Sequence, residues 1–336
     1  MKMAQERPEL SVIVPAFNEE ASLPRLYTRV VAVLERQAIP FELVVVDDGS
    51  DDATAATVQQ IAAHDPRVVL VRLTRNFGHE AASSCGFDVC RGQAAVLIDA
   101  DLQDPPEVIP AMIEKWRQGY DIVYGRRTSR QGETRLKRLT SHLFYRYFNR
   151  FAGRAIPADV GDFRLVDRKV IDAFNQLPER NRFVRGMFSW LGYNQTVVDF
   201  ERAPRVAGST KYNYLKLFWL SWEAVTSFSV APLRLCMGIG ALVTLFALAM
   251  AVWIVVQKLF LSIPIPGYAL ATAGMFLLGG VQLMFLGVIG EYIGKIYTQV
   301  QGRPIYLTRE DAPPKGDALK PDPLAPIPQR NENCTD

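Results

Sequence analysis

Residues 94–106 read AAVLIDADLQDPP, and this stretch decides the fold. Ala94–Ile98 is an unbroken apolar run, as in a strand buried on both faces of a parallel sheet. Directly behind it stand Asp99 and Asp101, separated only by Ala100. At a strand end, the following loop can turn two such carboxylates toward one divalent cation. Mg²⁺ and Mn²⁺ favour that arrangement, with few carboxylates, retained waters and phosphate oxygens. A lone Asp-x-Asp occurs by chance in many loops. Its position behind a buried strand, followed by Leu102-Gln103-Asp104-Pro105-Pro106, is what gives it weight.

The same pattern repeats upstream. Ser11–Pro15 (SVIVP), Leu43–Asp47 (LVVVD) and Val68–Leu73 (VVLVRL) are Val- and Ile-rich runs. Glu20–Gln37, Ala53–His64 and His79–Arg91 lie between them, each long enough for a crossover helix. The alternation predicts an α/β domain with a mostly parallel sheet and a ligand crevice beyond the carboxyl ends of the strands. Two further polar clusters follow strands, Pro15–Glu20 (PAFNEE) and Asp47–Asp52 (DDGSDD). The second, taken alone, reads as a helix cap through Ser50 or Asp51. Three clusters at successive strand ends favour a nucleotide site instead.

Beyond Ile122–Gly125 the character changes. Arg126, Arg127, Arg130, Arg135, Lys137 and Arg138 make a basic stretch leading into Arg135–Phe151 (RLKRLTSHLFYRYFNRF). That segment and Tyr212–Phe228, with Trp219 and Trp222, fit amphipathic helices lying in a membrane interface. Leu235–Val256 then holds 22 residues without a charge and Tyr268–Gly290 holds 23. Each is long enough to cross a bilayer. The connection, Gln257–Gly267 with Pro264 and Pro266, reads as a tight turn. Arg234, Lys295 and Arg303 flank the pair, against Lys258 in the turn, which places both ends in the cytoplasm. Gly279, Gly280, Gly287, Gly290 and Gly294 offer small faces that either pack the two spans together or join a second copy in a homo-oligomer. The tail from Asp311 is Pro-rich and polar and is expected to be disordered.

Composition narrows the classes. The 336 residues carry a net charge of +3, too little to imply nucleic-acid binding. Cys85, Cys90, Cys236 and Cys334 form no CxxC pair, and nothing has zinc-ligand spacing, which reads as free thiols in a reducing compartment. Met1–Leu10 has no apolar run and is not a signal peptide.

The set VIVPAFNEE, VVDDGSDD, RNFGHEAA, DADLQDPP, GDFRL and GSTKY, in this order, resembles the inverting glycosyltransferase family with the GT-A fold. More narrowly it is similar to that family's polyprenyl-phosphate branch, which includes dolichyl-phosphate mannose synthases, bactoprenol glucosyltransferases and undecaprenyl-phosphate aminoarabinose transferases. The likeness runs from about Ser11 to about Leu307. It implies that Pro15, Phe17 and Glu19, with Asp47 or Asp48, hold the base and ribose of a nucleotide-sugar. Asp99, Asp101 and Gln103 would bind Mg²⁺ or Mn²⁺ bridging the diphosphate, and Lys211 would reach that diphosphate. Asp162, in Gly161-Asp162-Phe163-Arg164, stands where related enzymes place a general base; with a phosphate acceptor its role would be orientational. Arg126, Arg127, Arg135 and Arg138 would meet the phosphate of a polyisoprenyl-phosphate acceptor, against the plainer reading of general attraction to anionic lipid. His79 reads as structural or as a contact behind the site.

The expected layout is therefore a cytoplasmic GT-A domain over 1–205, interfacial helices over 206–233, a two-helix transmembrane hairpin over 234–295 and a C-terminal segment over 296–336. The expected activity is hexose transfer to undecaprenyl phosphate at the cytoplasmic face of the inner membrane. UDP-glucose is favoured because the RNFGHEAA stretch looks closest to the bactoprenol pattern, with UDP-aminoarabinose derivatives, UDP-GlcNAc or GDP-mannose as alternatives. A processive polysaccharide synthase would need more spans. A non-catalytic scaffold or flippase partner has little reason to keep Asp99, Asp101 and Lys211, and a nucleotide-sugar hydrolase leaves the membrane-facing segments unexplained.

Overall fold

The computed structural model describes residues 8–127, 160–201, 231–260 and 267–309. Arg130, Arg135, Lys137, Arg138, Lys211, both amphipathic segments and the tail from Asp311 lie outside the described residues.

Seven strands form one sheet in the order β3-β2-β1-β4-β6-β5-β7. They are β1 (Leu10–Ala16), β2 (Phe41–Asp47), β3 (Val68–Arg72), β4 (Ala94–Leu97), β5 (Ile122–Arg127), β6 (Val160–Asp167) and β7 (Gln195–Phe200). β1 to β4 are mutually parallel, whereas β6 runs antiparallel to both its neighbours, β4 and β5. The helices of this domain are α1 (Leu23–Arg36), α2 (Thr54–His64), α3 (His79–Val89), α4 (Ile109–Arg117), α5 (Arg168–Asn175) and α6 (Val184–Leu191). Two long helices follow, α7 (Ala231–Phe260) and α8 (Tyr268–Val300).

Every residue of β1 and β2 is buried. The two-residue period of a strand divides them between two cores. Leu10, Val12 and Val14 pack with Leu26, Val30 and Leu34 of α1 on one face, while Ile13 meets Phe87 on the other. Leu23, Leu26, Val30 and Leu34 recur at near-helical spacing, and Pro24 starts the helix without losing a needed N–H. α3 is built largely from Ala, Ser, Cys and Gly and is buried over most of its length. A Cβ at Gly86 would stand 2.2 Å from Ile13 Cγ2, so only glycine lets this helix lie so close to β1.

The four expected strands of the first half are present with ends shifted by one or two residues; β6, β7, α5 and α6 were not anticipated from the sequence. Ser50 and Asp51 do not cap α2; Ala53 precedes it without a side-chain cap. The chain's apolar pair is longer than expected. α7 extends through Phe260, so Gln257–Phe260 is helix rather than turn, and α8 runs past Lys295 to Val300. At ~1.5 Å per residue, 30 and 33 residues exceed a hydrocarbon layer of ~30 Å. Pro232–Met250 and Leu277–Val300 are long and apolar enough to cross a membrane, and neither is buried against the domain. Among the described residues nothing lies within 4 Å of a Cβ built at Gly279, Gly280, Gly287, Gly290 or Gly294.

Candidate active site

The parallel strands bring three loops to one edge of the sheet. Residues 17–20 follow β1, residues 48–53 follow β2, and residues 98–105 follow β4. The first two lock together. Asn18 N–H donates to Ser50 Oγ at 2.9 Å, Asp51 N–H to Asn18 Oδ1 at 2.9 Å, Glu19 N–H to Thr54 Oγ1 at 2.8 Å and Ala53 N–H to Glu20 Oε2 at 2.9 Å. Asn18 adopts φ +57° to make this junction, and Leu102 adopts φ +62° directly after Asp101. Side chains with a Cβ seldom take that conformation, so both loops are held there by their surroundings. Gly49, at φ +70°, lies where a Cβ would stand 2.5 Å from the Arg75 backbone.

Pro15 is buried within β1, and Phe17 projects at the loop with 41% of its surface exposed. Asp47 and Asp48 are both buried but differ in employment. Asp47 Oδ1 accepts from Ser50 N–H at 3.0 Å and its Oδ2 lies 3.9 Å from Arg72 Nε. Asp48 accepts from Phe77 N–H at 2.7 Å and Gly78 N–H at 2.8 Å, which fixes the turn ahead of α3. Burial pushes the Asp48 carboxyl up against those two bonds.

The antiparallel run of β6 supplies the opposing side. Its register pairs Leu97 with Arg164, so two residues further on Asp99 and Asp162 face each other beyond the paired strands. His79, at the start of α3, stands between them: its Nε2 is 3.8 Å from Asp99 Oδ1 and 3.9 Å from Asp162 Oδ2. Asp162 Oδ1 accepts from Arg164 at 2.9 Å and its Oδ2 from Arg185 at 3.0 Å. Burial opposes its ionisation, but Arg185, Arg164 and His79 outweigh that and hold the carboxyl at about 2. A carboxylate of such low proton affinity is poorly matched to general-base work near neutral pH. Arg164 is fully buried, beside the rings of Tyr124 and Phe188.

Burial pushes the Asp99 carboxyl up, and the charges of Asp162 and Asp101 add to this against His79 and Arg127. Asp99 Oδ1 accepts no hydrogen bond among the described residues. Gln103 is 2% exposed, and neither end of its amide is bonded among the described residues. Glu19 is raised by burial and by the charges of Asp101 and Asp52, against a 2.5 Å bond from Ser22. Crowded carboxylates with an unbonded oxygen, beside an idle amide, form an oxygen-rich set suited to a hard divalent cation. No three His, Cys, Asp or Glu side chains among the described residues make a complete cage, so such a cation would draw further ligands from water or phosphate.

The two described arginines of the basic stretch point to opposite faces of β5. Arg126 makes a fork with Asp199 on β7, at 2.6 and 2.8 Å. Arg127 lies against Gly161 and bonds Asp104 at 3.3 Å, joining the Asp99–Asp104 loop to β5. Arg164, Arg185, Asp104 and Glu80, whose Oε2 accepts from Val184 N–H at 2.9 Å, were missed from the sequence. Asp104, Glu80 and Arg164 stand within the motifs DADLQDPP, RNFGHEAA and GDFRL without a role of their own assigned there, whereas Arg185 lies in none of them.

A mostly parallel sheet carrying acidic loops at its carboxyl edge defines a nucleotide-sugar transferase of the GT-A type. Residues 11–174 match the model of glycosyl transferase family 2, and residues 231–296 match that of the GtrB C-terminal hairpin. The chain belongs to glycosyl transferase family 2 and is a glycosyltransferase with a GtrB-type hairpin. It is 46% identical over 302 residues to an uncharacterized glycosyltransferase of Synechocystis sp., covering 90% of this chain and 95% of that one. It is 43% identical over 302 residues to the SfII prophage-derived bactoprenol glucosyl transferase of Shigella flexneri, covering 90% and 98%. Among solved structures, mannosyl-3-phosphoglycerate synthase from Rubrobacter xylanophilus is similar at 21% identity, with a TM-score of 0.47 over 70% of this chain and 75% of that one.

Proposed function

We propose that this enzyme transfers glucose from UDP-glucose to undecaprenyl phosphate, forming a lipid-linked sugar at the cytoplasmic face of the plasma membrane. What carries the reading is that the likeness to a protein named bactoprenol glucosyl transferase covers 98% of that protein, cleft and hairpin together. In this reading residues 1–205 are cytoplasmic, residues 206–233 meet the interface, residues 234–295 form the membrane hairpin and residues 296–336 return to the cytoplasm.

The acceptor phosphate is already an anion, so it needs placement more than deprotonation. That agrees with an Asp162 held ionised at about 2 by Arg185 and Arg164. Asp162 and His79 would orient the sugar and the incoming phosphate across the gap between β4 and β6. Pro15, Phe17, Glu19 and Asp47 would hold the base and ribose, with Asp48 shaping the turn behind them. Asp99, Asp101 and Gln103 would hold Mg²⁺ or Mn²⁺, which when bound supplies Lewis-acid stabilisation of the leaving diphosphate. Lys211 would add a cation there. Arg127, Arg135 and Arg138 would receive the lipid phosphate through guanidinium forks, and Arg126 would join them on leaving Asp199. The unpacked glycine face of α8 would serve a homo-oligomer contact.

The test uses purified full-length protein with undecaprenyl phosphate and radiolabelled UDP-glucose, UDP-GlcNAc or GDP-mannose in parallel, counting label extracted into organic solvent. Label from UDP-glucose alone, lost on omitting lipid, on chelation and in Asp101→Ala, is the expected result. Label from a different donor would replace glucose in the proposal. Full activity in Asp101→Ala would remove the metal assignment.

A further inference from the structure

Behind α8 the chain turns back onto the catalytic domain. Gln299, in the last turn of α8, grips the loop ahead of α6 with both ends of its amide. Its Oε1 accepts from Arg180 N–H at 3.0 Å and its Nε2 donates to Pro178 O at 2.8 Å. The chain reverses at Gly302, φ +67°, and meets the carboxyl end of β3. Thr74 N–H donates to Leu307 O at 2.9 Å and Arg309 N–H to Arg72 O at 2.8 Å, with Leu73 opposite Thr308 in antiparallel sense. Tyr306 packs on the cluster of Val46, Leu73 and Cys85, and its hydroxyl donates to Asp88 Oδ2 on α3 at 2.5 Å.

β3 is one of the two outer strands of the sheet, and an outer strand offers unpaired backbone groups to any extended partner. Here the chain itself occupies those at the carboxyl end of β3, Arg72 O and, just beyond it, Thr74 N–H. The elements it grips also build the site. α3 presents His79 between Asp99 and Asp162, and the segment after β3 leads to the Phe77–Gly78 turn held by Asp48. Separate hydrogen bonds from residues 299–309 thus reach the loop ahead of α6, the end of β3 and α3, and so tie the end of the apolar hairpin to elements that carry the cleft.

We infer that residues 299–309 are a positioning strap that fixes the height and orientation of the cleft above the bilayer, with Gln299 and Tyr306 as its positioning residues. The inference rests on the proposed membrane-borne acceptor. A covalent tether alone confines the domain near the surface but leaves it free to rotate. Transfer requires the lipid phosphate and the donor carbon to meet within near-attack distance, and misplacement of ~1 Å can cost ~10²-fold in rate. The strap removes that freedom.

The test compares two full-length variants with wild type in nanodiscs. One is Gln299→Ala with Tyr306→Phe and Arg309→Pro, which undocks the strap. The other carries a flexible Gly/Ser insertion after Gly302 with Gln299→Ala, which leaves the strap docked but uncoupled from α8. Each is assayed with undecaprenyl phosphate in the disc and with a short water-soluble prenyl phosphate. In both variants kcat/KM should fall roughly tenfold for the lipid in the disc and stay within about twofold for the soluble acceptor. Equal losses on both acceptors would make the strap a support for the domain only, and no loss on either would make it idle; each overturns the inference. Spin labels at Gln59 and Ile296 give a measure independent of any acceptor. Their distance distribution should broaden in the insertion variant, and an unchanged distribution overturns the strap. Should wild type use neither acceptor, the acceptor reading fails, and this distance measurement alone decides the strap.

Discussion

Asp162 shows how one carboxylate organises its neighbours. Arg164 is wholly buried; its Nε and one terminal nitrogen donate to the Asp162 carboxylate and to the backbone carbonyls of Gly161 and Asp162, while its other terminal nitrogen has no partner among the described residues. Asp162→Asn would strand that cation, and breaking a largely buried pair from one side costs more than removing both members. We expect Asp162→Asn to lower stability by about 2–3 kcal/mol, read from the denaturant midpoint, and Asp162→Asn with Arg164→Met to recover part of that loss. A double variant no more stable than the single one would show that Arg164 is satisfied elsewhere. Asp99 and Asp101 were legible in the sequence because a strand's apolar run marks where its loop begins. Arg185 was not, because it comes from a separate helix 23 positions beyond Asp162 and only folding brings the two within 3.0 Å.

The turn from α2 into β3 carries a pH-sensitive lock. Asp65 is 6% exposed at its side chain, and it accepts from Arg67 at 2.8 Å and from the Tyr27 hydroxyl at 2.9 Å. Arg67's hydrogen bonds, outweighing burial, hold its carboxyl at about 2, below the ordinary 3.8. A carboxyl depressed in the folded state stabilises above its unfolded value and loses that contribution as pH falls through its folded one. The stability gap between wild type and Asp65→Asn should therefore be full above pH ~4, about 1–2 kcal/mol, and close as pH falls toward ~2. Urea titrations at several pH values measure it; a gap constant down to pH ~2 would contradict the assignment. Among the strands, β1, β2 and β4 could be read because burial on both faces writes a continuous Val/Ile signature, and β3, partly buried at the sheet edge, because its Val68–Leu73 run is apolar but for Arg72. β6 could not, because Asp162 and Arg164 interrupt its apolar pattern with the groups the site requires. β7, at the sheet edge and only half-buried, has no such signature.

The molecule as a whole joins an α/β catalytic domain to a pair of long apolar helices. With Arg234, Lys295 and Arg303 at one end of the pair, an N-terminal epitope tag should be lost when protease is added to inside-out vesicles and kept in right-side-out cells. The reverse result would invert the proposed topology. The class of fold, the three acidic loops at one sheet edge and the two apolar helices were already written in the order of residues. Those properties reside in local periodicity and in the order of strands and helices, which neighbouring residues specify. It took folding to show that β6 runs antiparallel, that Asp162 therefore stands across from Asp99 with His79 between them, and that the chain beyond α8 docks at the end of β3. Such contacts join residues tens to hundreds of positions apart, and no local pattern encodes which distant partner a strand edge or a buried arginine will meet.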